Sequence, residues 1–303
     1  MKKFGIRLLV FFLVIFIGDT VVGYWLSFNY NNSEYASFTK LKHTLNAKEE
    51  LLIFGSSRAQ HHYNSQILAK GLGMSVYNCG FGGQGVEFSY LQLKEILKQN
   101  KPKQVIFDLS VNILIDPEGN SKLSGILAPY YHRSLDIKNA LDGFDKFEKY
   151  KMISNIYPYN STLYNILRRK KNNEDALLKG FQPLHSVFDT TGINTIVNNG
   201  FNKAYSLNDK LKFVEKFILL CGANDIPLII VNSPIYLTND ILDSMNAEMK
   251  LLLKPYTNCQ YLDFTLDSSF KAHPEYFKDN LHLNEKGAEL FTKKIIKIFM
   301  VTR

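Results

Sequence analysis

The sequence predicts an α/β protein, a parallel sheet with helices on both faces, behind one N-terminal apolar helix of membrane-spanning length. Three observations lead there. Short apolar runs ending in small residues alternate with amphipathic stretches; the run from Leu8 to Leu26 is apolar, small or aromatic except at Asp19 and Thr20; and residue types capable of chemistry collect where predicted strands end.

The composition sets the bounds. With 303 residues, 46% hydrophobic and 21% charged, the chain has material for a large core, which excludes disordered and collagen-like classes. Thirty-six Lys and Arg against 28 Asp and Glu leave a net +8, but the cations are scattered apart from Arg168-Arg169-Lys170-Lys171. That distribution predicts a solvated surface rather than a nucleic-acid groove, with the charge excess an electrostatic aid toward anionic lipid or an acidic glycopolymer. Cys79, Cys221 and Cys259 are too few for a disulfide framework, and neither they nor His132, His185 and His273 have metal-ligand spacing, so no metal and no cofactor is expected.

The first element is the apolar run. Leu8 to Leu26 approaches the roughly 20 residues that cross a bilayer as helix, and Lys2, Lys3 and Arg7 precede it. Cations at that end stay in the cytoplasm, which predicts a single-pass anchor at residues 1–27 with the rest of the chain outside the membrane. A cleaved signal peptide is the rival, but no small-x-small site follows before Trp25. Asp19, inside the run, is an outer-interface residue or a contact to a membrane partner.

Strand and helix then alternate. Glu49–Phe54 is a buried strand running into Gly55-Ser56-Ser57; Ser65–Lys70 is a helix; Met74–Tyr77 is a strand stopping at Gly80-Phe81-Gly82-Gly83-Gln84-Gly85. Phe88–Gln99 gives a helix and Gln104–Leu109 a third strand. After Asp116 the pattern breaks for about ninety residues, longer than an ordinary loop, and residues 117–206 are read as a partly helical, tyrosine-rich insertion. Regular alternation returns with helix Asn208–Cys221, strand Pro227–Val231, helix Asp240–Leu253, strand Gln260–Phe264 and a closing helix over residues 285–300.

In parallel sheets ligands gather at the carboxyl ends of strands. Those ends carry Ser56-Ser57, Asn78 to Gly83, Asn112 and Asn232-Ser233, while Asp279 and His282 precede the last helix. A hydroxyl, a base, a carboxylate to orient the base and donors for an oxyanion are the set that acyl transfer by serine requires. His61 and His62 follow the nucleophile turn, where His62 could approach the site, but the pair reads more readily as solvent-facing at a helix start.

In these blocks the sequence resembles the SGNH, or GDSL-like, serine esterase and acyltransferase superfamily. Leu-Ile-Phe-Gly55-Ser56-Ser57-Arg58 is similar to the Gly-Asp-Ser block, with Ser56 in place of Asp; Tyr77-Asn78-Cys79-Gly80-Phe81-Gly82-Gly83 to the oxyanion glycine block; Val105 to Asn112 to the Gly-x-Asn-Asp strand end, with Ser110 in place of Gly; and Asp279-Asn280-Leu281-His282 to the block supplying the remaining triad members. The resemblance covers about 51–116 and 227–303 and implies a flavodoxin-like three-layer α/β/α sandwich spanning 28–303. It implies Ser57, His282 and Asp279 as the catalytic triad and the Ser57 amide, the Gly83 amide and the Asn112 side chain as the oxyanion hole. Arg58 is a candidate for binding an anionic substrate group.

The Gly-Ser-Ser-Arg form, the single anchor and Gly180-Phe181-Gln182-Pro183-Leu184 resemble a membrane-anchored subgroup that includes extracytoplasmic proteins of alginate O-acetylation and teichoic acid D-alanylation. That resemblance implies an extracytoplasmic esterase or O-acyltransferase on acyl esters of cell-surface or exported glycan, beside a membrane-bound O-acyltransferase partner. A lipase or thioesterase, and a non-catalytic glycan-binding or scaffolding protein, are the alternatives.

Overall fold

The structure is a computed structural model that describes residues 1–109, 123, 125–168, 178–190, 207–236 and 249–301. It divides into two compact units, Met1–Thr39 with Asn120–Asn172, and Lys40–Gly119 with Asn173–Arg303. This division differs from an anchor ending at residue 27. Tyr30 and Phe38 pack with Tyr159 and Ile166, so the middle of the insertion shares a core with the N-terminal helix.

The first unit carries α1 (Lys2–Asn31) and the beginning of α2 (Ala36–Thr44). α1 is long and apolar enough to cross a membrane, and no part of its most apolar window is buried. From the insertion come the helices at Leu135–Phe144, Glu148–Lys151 and Leu163–Arg168, with 3-10 turns at Ala128–Tyr130 and Tyr157–Thr162. The expectation of a partly helical insertion therefore holds where it is described.

The second unit is the predicted sheet. β1 (Leu51–Gly55), β2 (Val76–Asn78), β3 (Gln104–Asp108), β4 (Leu228–Asn232) and β5 (Cys259–Asp263) lie in the order β2-β1-β3-β4-β5, every pair parallel. This is the flavodoxin-like order, and its direction reverses between β1 and β3. α3 (Ser57–His62) and α4 (Ser65–Leu72) follow β1, and α5 (Val86–Ile96) follows β2. Numbering the insertion helices α6 (Leu135–Phe144), α7 (Glu148–Lys151) and α8 (Leu163–Arg168), the later ones are α9 (Leu207–Ala223), α10 (Ser268–Lys271) and α11 (Glu285–Val301). The expected helix at 240–253 lies mostly outside the described residues.

Continuous apolar strands make sense because each face is covered. Successive side chains point to opposite faces, so Leu52, Phe54, Val105 and Phe107 pack with Leu93 and Ile96 of α5 and Val214, Phe217 and Cys221 of α9. Leu51, Ile53, Ile106 and Val231 meet Leu68 and Leu72 of α4 and Phe291, Ile295 and Phe299 of α11 on the other face. Two separate apolar layers thus clamp the sheet, and its strand ends are held at fixed relative positions.

The end of β1 is the tightest point. Gly55 takes φ +136°, and a Cβ there would lie 2.5 Å from the Asp108 carbonyl oxygen of the neighbouring strand and 2.8 Å from Ala59 Cβ. Gly55→Ala is therefore expected to destabilise the second unit by about 2 kcal/mol or more, combining a strained backbone with overpacking. Denaturant unfolding followed by circular dichroism measures it, and an unchanged midpoint would contradict the close approach.

Candidate active site

β1 ends at Gly55, Ser56 caps α3, and Ser57 is that helix's first residue, so the hydroxyl stands at the carboxyl edge of the sheet beside the reversal of strand order. The loop before α11 brings its partners. His282 Nε2 lies 2.7 Å from Ser57 Oγ, and His282 Nδ1 lies 2.9 and 3.0 Å from the two Asp279 carboxylate oxygens. The three residues expected to act together are in hydrogen-bonding line.

The local sequence builds this loop. Asp279 Oδ1 accepts from the Leu281 and His282 amides, each at 2.9 Å, folding the three-residue spacing into a tight turn that returns the imidazole to its own carboxylate. Asn284 caps α11, its Oδ1 accepting from Gly287 N at 3.1 Å. Burial works to raise the Asp279 pKa, but the bonds from His282 and the Leu281 and His282 amides outweigh it and hold the carboxyl at about 2. Asp279 is an anion at neutral pH, suited to orient the imidazole and to balance a positive charge forming on it.

For the oxyanion the picture is mixed. Gly83, at φ +73°, turns the glycine-rich loop, and its amide makes no hydrogen bond among the described residues. The Ser57 amide instead donates to Ser56 Oγ, and the Gly82 amide to Gln60 Oε1. Asn112, the third expected donor, lies outside the described residues.

Two sequence expectations are corrected by burial. Arg58 is 4% exposed and turns inward: its guanidinium donates to Asn232 Oδ1 at 2.8 Å and to Ser233 Oγ and carbonyl, and its Nε lies 3.8 Å from Asp108. A side chain fully committed beneath the strand ends is not presented to substrate. His62, expected at the surface, is wholly buried. Its Nε2 accepts the Leu283 amide at 2.9 Å and its Nδ1 lies 2.9 Å from Ser233 Oγ.

Together these residues form a polar layer that sequence reasoning did not find. Tyr63 donates to Asp108 Oδ2 at 2.7 Å, Asp108 faces Arg58, Arg58 reaches Ser233, and Ser233 meets His62, which holds the residue after His282. Because Nε2 accepts from an amide, His62 must be the neutral tautomer with its proton on Nδ1. Burial first, then the Arg58 guanidinium, pushes its pKa well below the ordinary histidine range. Half-buried His61, held to the Gln182 carbonyl at 2.7 Å, is also depressed, to about 4, burial outweighing that bond.

A strap from the insertion crosses this edge. Gln182 N donates to the Gln60 carbonyl, the Gln60 and Gln182 side chains bond to each other, and Glu285 N donates to the Leu184 carbonyl. Buried Lys40 donates to the Gly180 carbonyl at 2.7 Å, its pKa lowered to about 7 by burial, against a smaller opposing effect of Cys79. The segment Gly180 to Leu184 thus belongs to the site by its main chain.

The histidines have a consequence for acid. Below the ordinary value of about 6.5 an unfolded chain binds protons that folded His61 and His62 refuse, so stability rises with pH across that interval and falls as pH drops toward about 4. Urea midpoints at pH 5 and pH 7 are expected to differ, with pH 5 lower. A His61→Gln, His62→Gln double variant, which keeps an acceptor for Leu283, should shrink that difference; an undiminished gap would assign the acid sensitivity to other groups.

Several solved structures are similar in outline. A Streptococcus pneumonia protein described as a platelet activating factor aligns over 93% of this chain and 98% of its own, at 11% identity and a TM-score of 0.46. A Bacteroides fragilis protein described as an acylhydrolase aligns over 82% and 87%, at 12% identity and 0.41. A Bacteroides thetaiotaomicron protein described as a GDSL-like lipase aligns over 82% and 88%, at 10% identity and 0.41. Among curated proteins no sequence matches. A family model matches residues 10–201, a stretch that includes Ser57 and Gly83 and ends before Asp279 and His282. By that match the chain belongs to the family described as Protein of unknown function (DUF1574).

Proposed function

We propose that this protein is an extracytoplasmic, membrane-anchored serine esterase or O-acyltransferase of the SGNH type, acting on acyl esters, acetyl foremost, of cell-surface or exported glycan. The observation that carries the reading is the continuous line from Ser57 Oγ through His282 to Asp279, at 2.7 and 2.9 Å. A scaffolding role would leave such an alignment without a purpose.

The chemistry follows from that line. As Ser57 Oγ attacks an ester carbonyl, its proton passes to His282 Nε2, and Asp279 balances the imidazolium. Charge collects on the carbonyl oxygen, where the Gly83 amide, the Ser57 amide once the Ser56 hydroxyl turns away, and Asn112 are the proposed donors. Each such donor is commonly worth about 10² to 10³ in rate. The tetrahedral species collapses to an acyl-serine, and the departing alkoxide takes the proton from His282. Water or a sugar hydroxyl then gives its proton to His282 and attacks the acyl-serine, regenerating Ser57. Water makes the enzyme a hydrolase and the sugar makes it a transferase, whose acyl donor comes from a membrane-bound O-acyltransferase partner.

The anchor reading rests on α1 and on Lys2, Lys3 and Arg7 at its start. It gives a first expectation: a reporter active only in the cytoplasm, fused after Arg303, stays silent. Activity of that reporter would reverse the orientation and remove surface glycan from the substrate class.

The catalytic reading is tested on the ester itself. A fluorophosphonate is expected to label the protein, and Ser57→Ala to abolish labelling while Ser56→Ala keeps it. With an acetyl ester, His282→Ala should lose about 10³-fold or more in kcat, and adding Asp279→Ala should cost little further, because residues acting as a unit are not additive. Near-parental turnover in folded His282→Ala would refute the triad. Comparing turnover with and without an oligosaccharide acceptor separates hydrolysis from transfer.

A further inference from the structure

Asp19 lies inside the apolar run of α1, and the structure surrounds it. Its carboxylate accepts the Ser154 hydroxyl, the Asn155 amide at 2.7 Å, the Asn155 side-chain amide at 3.0 Å and the Ile156 amide at 3.4 Å. One turn further along α1, Gly23 leaves room for the same loop: a Cβ there would lie 2.3 Å from Asn155 Cβ. The loop therefore seats on two α1 positions on one helix face, and all these residues belong to the first unit.

Helix length fixes where that seat stands. Counting from Arg7, a span of about 20 residues, or 30 Å, reaches Ser27. Asp19 is eight residues short of Ser27 and Gly23 four, or about 12 and 6 Å along the axis at about 1.5 Å per residue. α1 stays apolar and exposed through this stretch, at Val21, Val22, Trp25 and Phe28. The neighbouring surface of the loop is also apolar and exposed, with Phe147 at 56%, Tyr150 at 60% and Ile153 at 76%. Lys146 and Lys149 lie over the Phe147 and Tyr150 rings, each 5.0 Å from the centroid.

We propose that the segment from Phe147 to Ile156 is embedded in the outer leaflet of the membrane that α1 crosses, with the exposed Phe147, Tyr150 and Ile153 side chains against its acyl chains. The proposal rests on the anchor reading above. Two costs that the hydrocarbon would impose cancel in the clasp: a lone carboxylate at that depth needs donors, and loop amides without water need acceptors. Asp19 and the Ser154 to Ile156 segment supply each other. The aromatic rings with adjacent lysines suit an interface where the apolar body is immersed and the ammonium reaches water.

The test uses the full chain reconstituted in phosphatidylcholine vesicles, with lipids brominated near the headgroup end of the acyl chains as quenchers. Trp25 is the sole tryptophan, so the parent protein reports the anchor itself. In a Trp25→Phe, Ile153→Trp variant, emission is expected to fall about twofold or more on bromination, and adding Asp19→Ala should weaken that quenching by releasing the loop. Quenched Trp25 with an unquenched Ile153→Trp reporter would keep the anchor and overturn the embedded loop. An unquenched Trp25 would overturn the anchor reading and the embedded loop together. Quenching unaffected by Asp19→Ala would overturn the clasp as the seat of the loop.

Discussion

A guanidinium buried next to Ser57 is the constraint around which the second unit is arranged. Arg58 follows Ser57 directly and is almost wholly shielded from solvent, where an unbalanced charge would be prohibitive. Its neighbours meet that demand: Asp108 at the end of β3, Asn232 at the end of β4, and Ser233 just beyond. Burial raises the Asp108 pKa, while Arg58, Ser233 and Tyr63 oppose it, so the carboxylate and the guanidinium depend on each other. Removing either leaves the other stranded, a more damaging change than losing an exposed ion pair.

The same charge balance ties the strand ends to the loop that carries His282. Arg58 holds Ser233, Ser233 meets His62, and His62 accepts the amide of Leu283, the residue after His282. The position of His282 is thus referred back to the helix that begins at Ser57 by two routes, one through Ser57 Oγ and one through this buried layer. Geometry fixed to fractions of an ångström requires such support beneath the reacting groups. It also explains how the fold tolerates these side chains between apolar layers, since Arg58, His62, Tyr63, Asp108 and Ser233 each meet a residue of another element.

How much of this was legible depended on sequence distance. The strands were readable because both faces are buried and the runs are continuous, and the Asp279–His282 turn was readable because it closes within four residues. The pair Ser56-Ser57 was readable as the end of a buried strand, and the choice of Ser57 between them came from the family resemblance. The inward turn of Arg58 was not, since Asn232 and Ser233 are about 175 residues away and the parallel registers of β1 with β3 and of β3 with β4 bring them near. His62 was misread for the same reason, its acceptor role being set by an amide 221 residues later. Asp19 looked like an outlier in an apolar run because what satisfies it lies about 135 residues on. Local chemistry shows in a sequence, whereas a residue defined by a distant partner shows only its type.

The separation between Ser57 and His282 also has a meaning in time. The Ser57 hydroxyl and the His282 imidazole are 225 residues apart and meet only when α11 and its preceding loop dock on the sheet. Ribosomes deliver the amino-terminal part first, at about 5 to 20 residues per second, so Ser57 exists for many seconds as an ordinary alcohol. On the proposed catalytic reading, reactivity is therefore a late property of the chain. A growing chain then carries no activated serine to be acylated by passing esters, and proofreading of the packing of α11 is at the same time proofreading of activity.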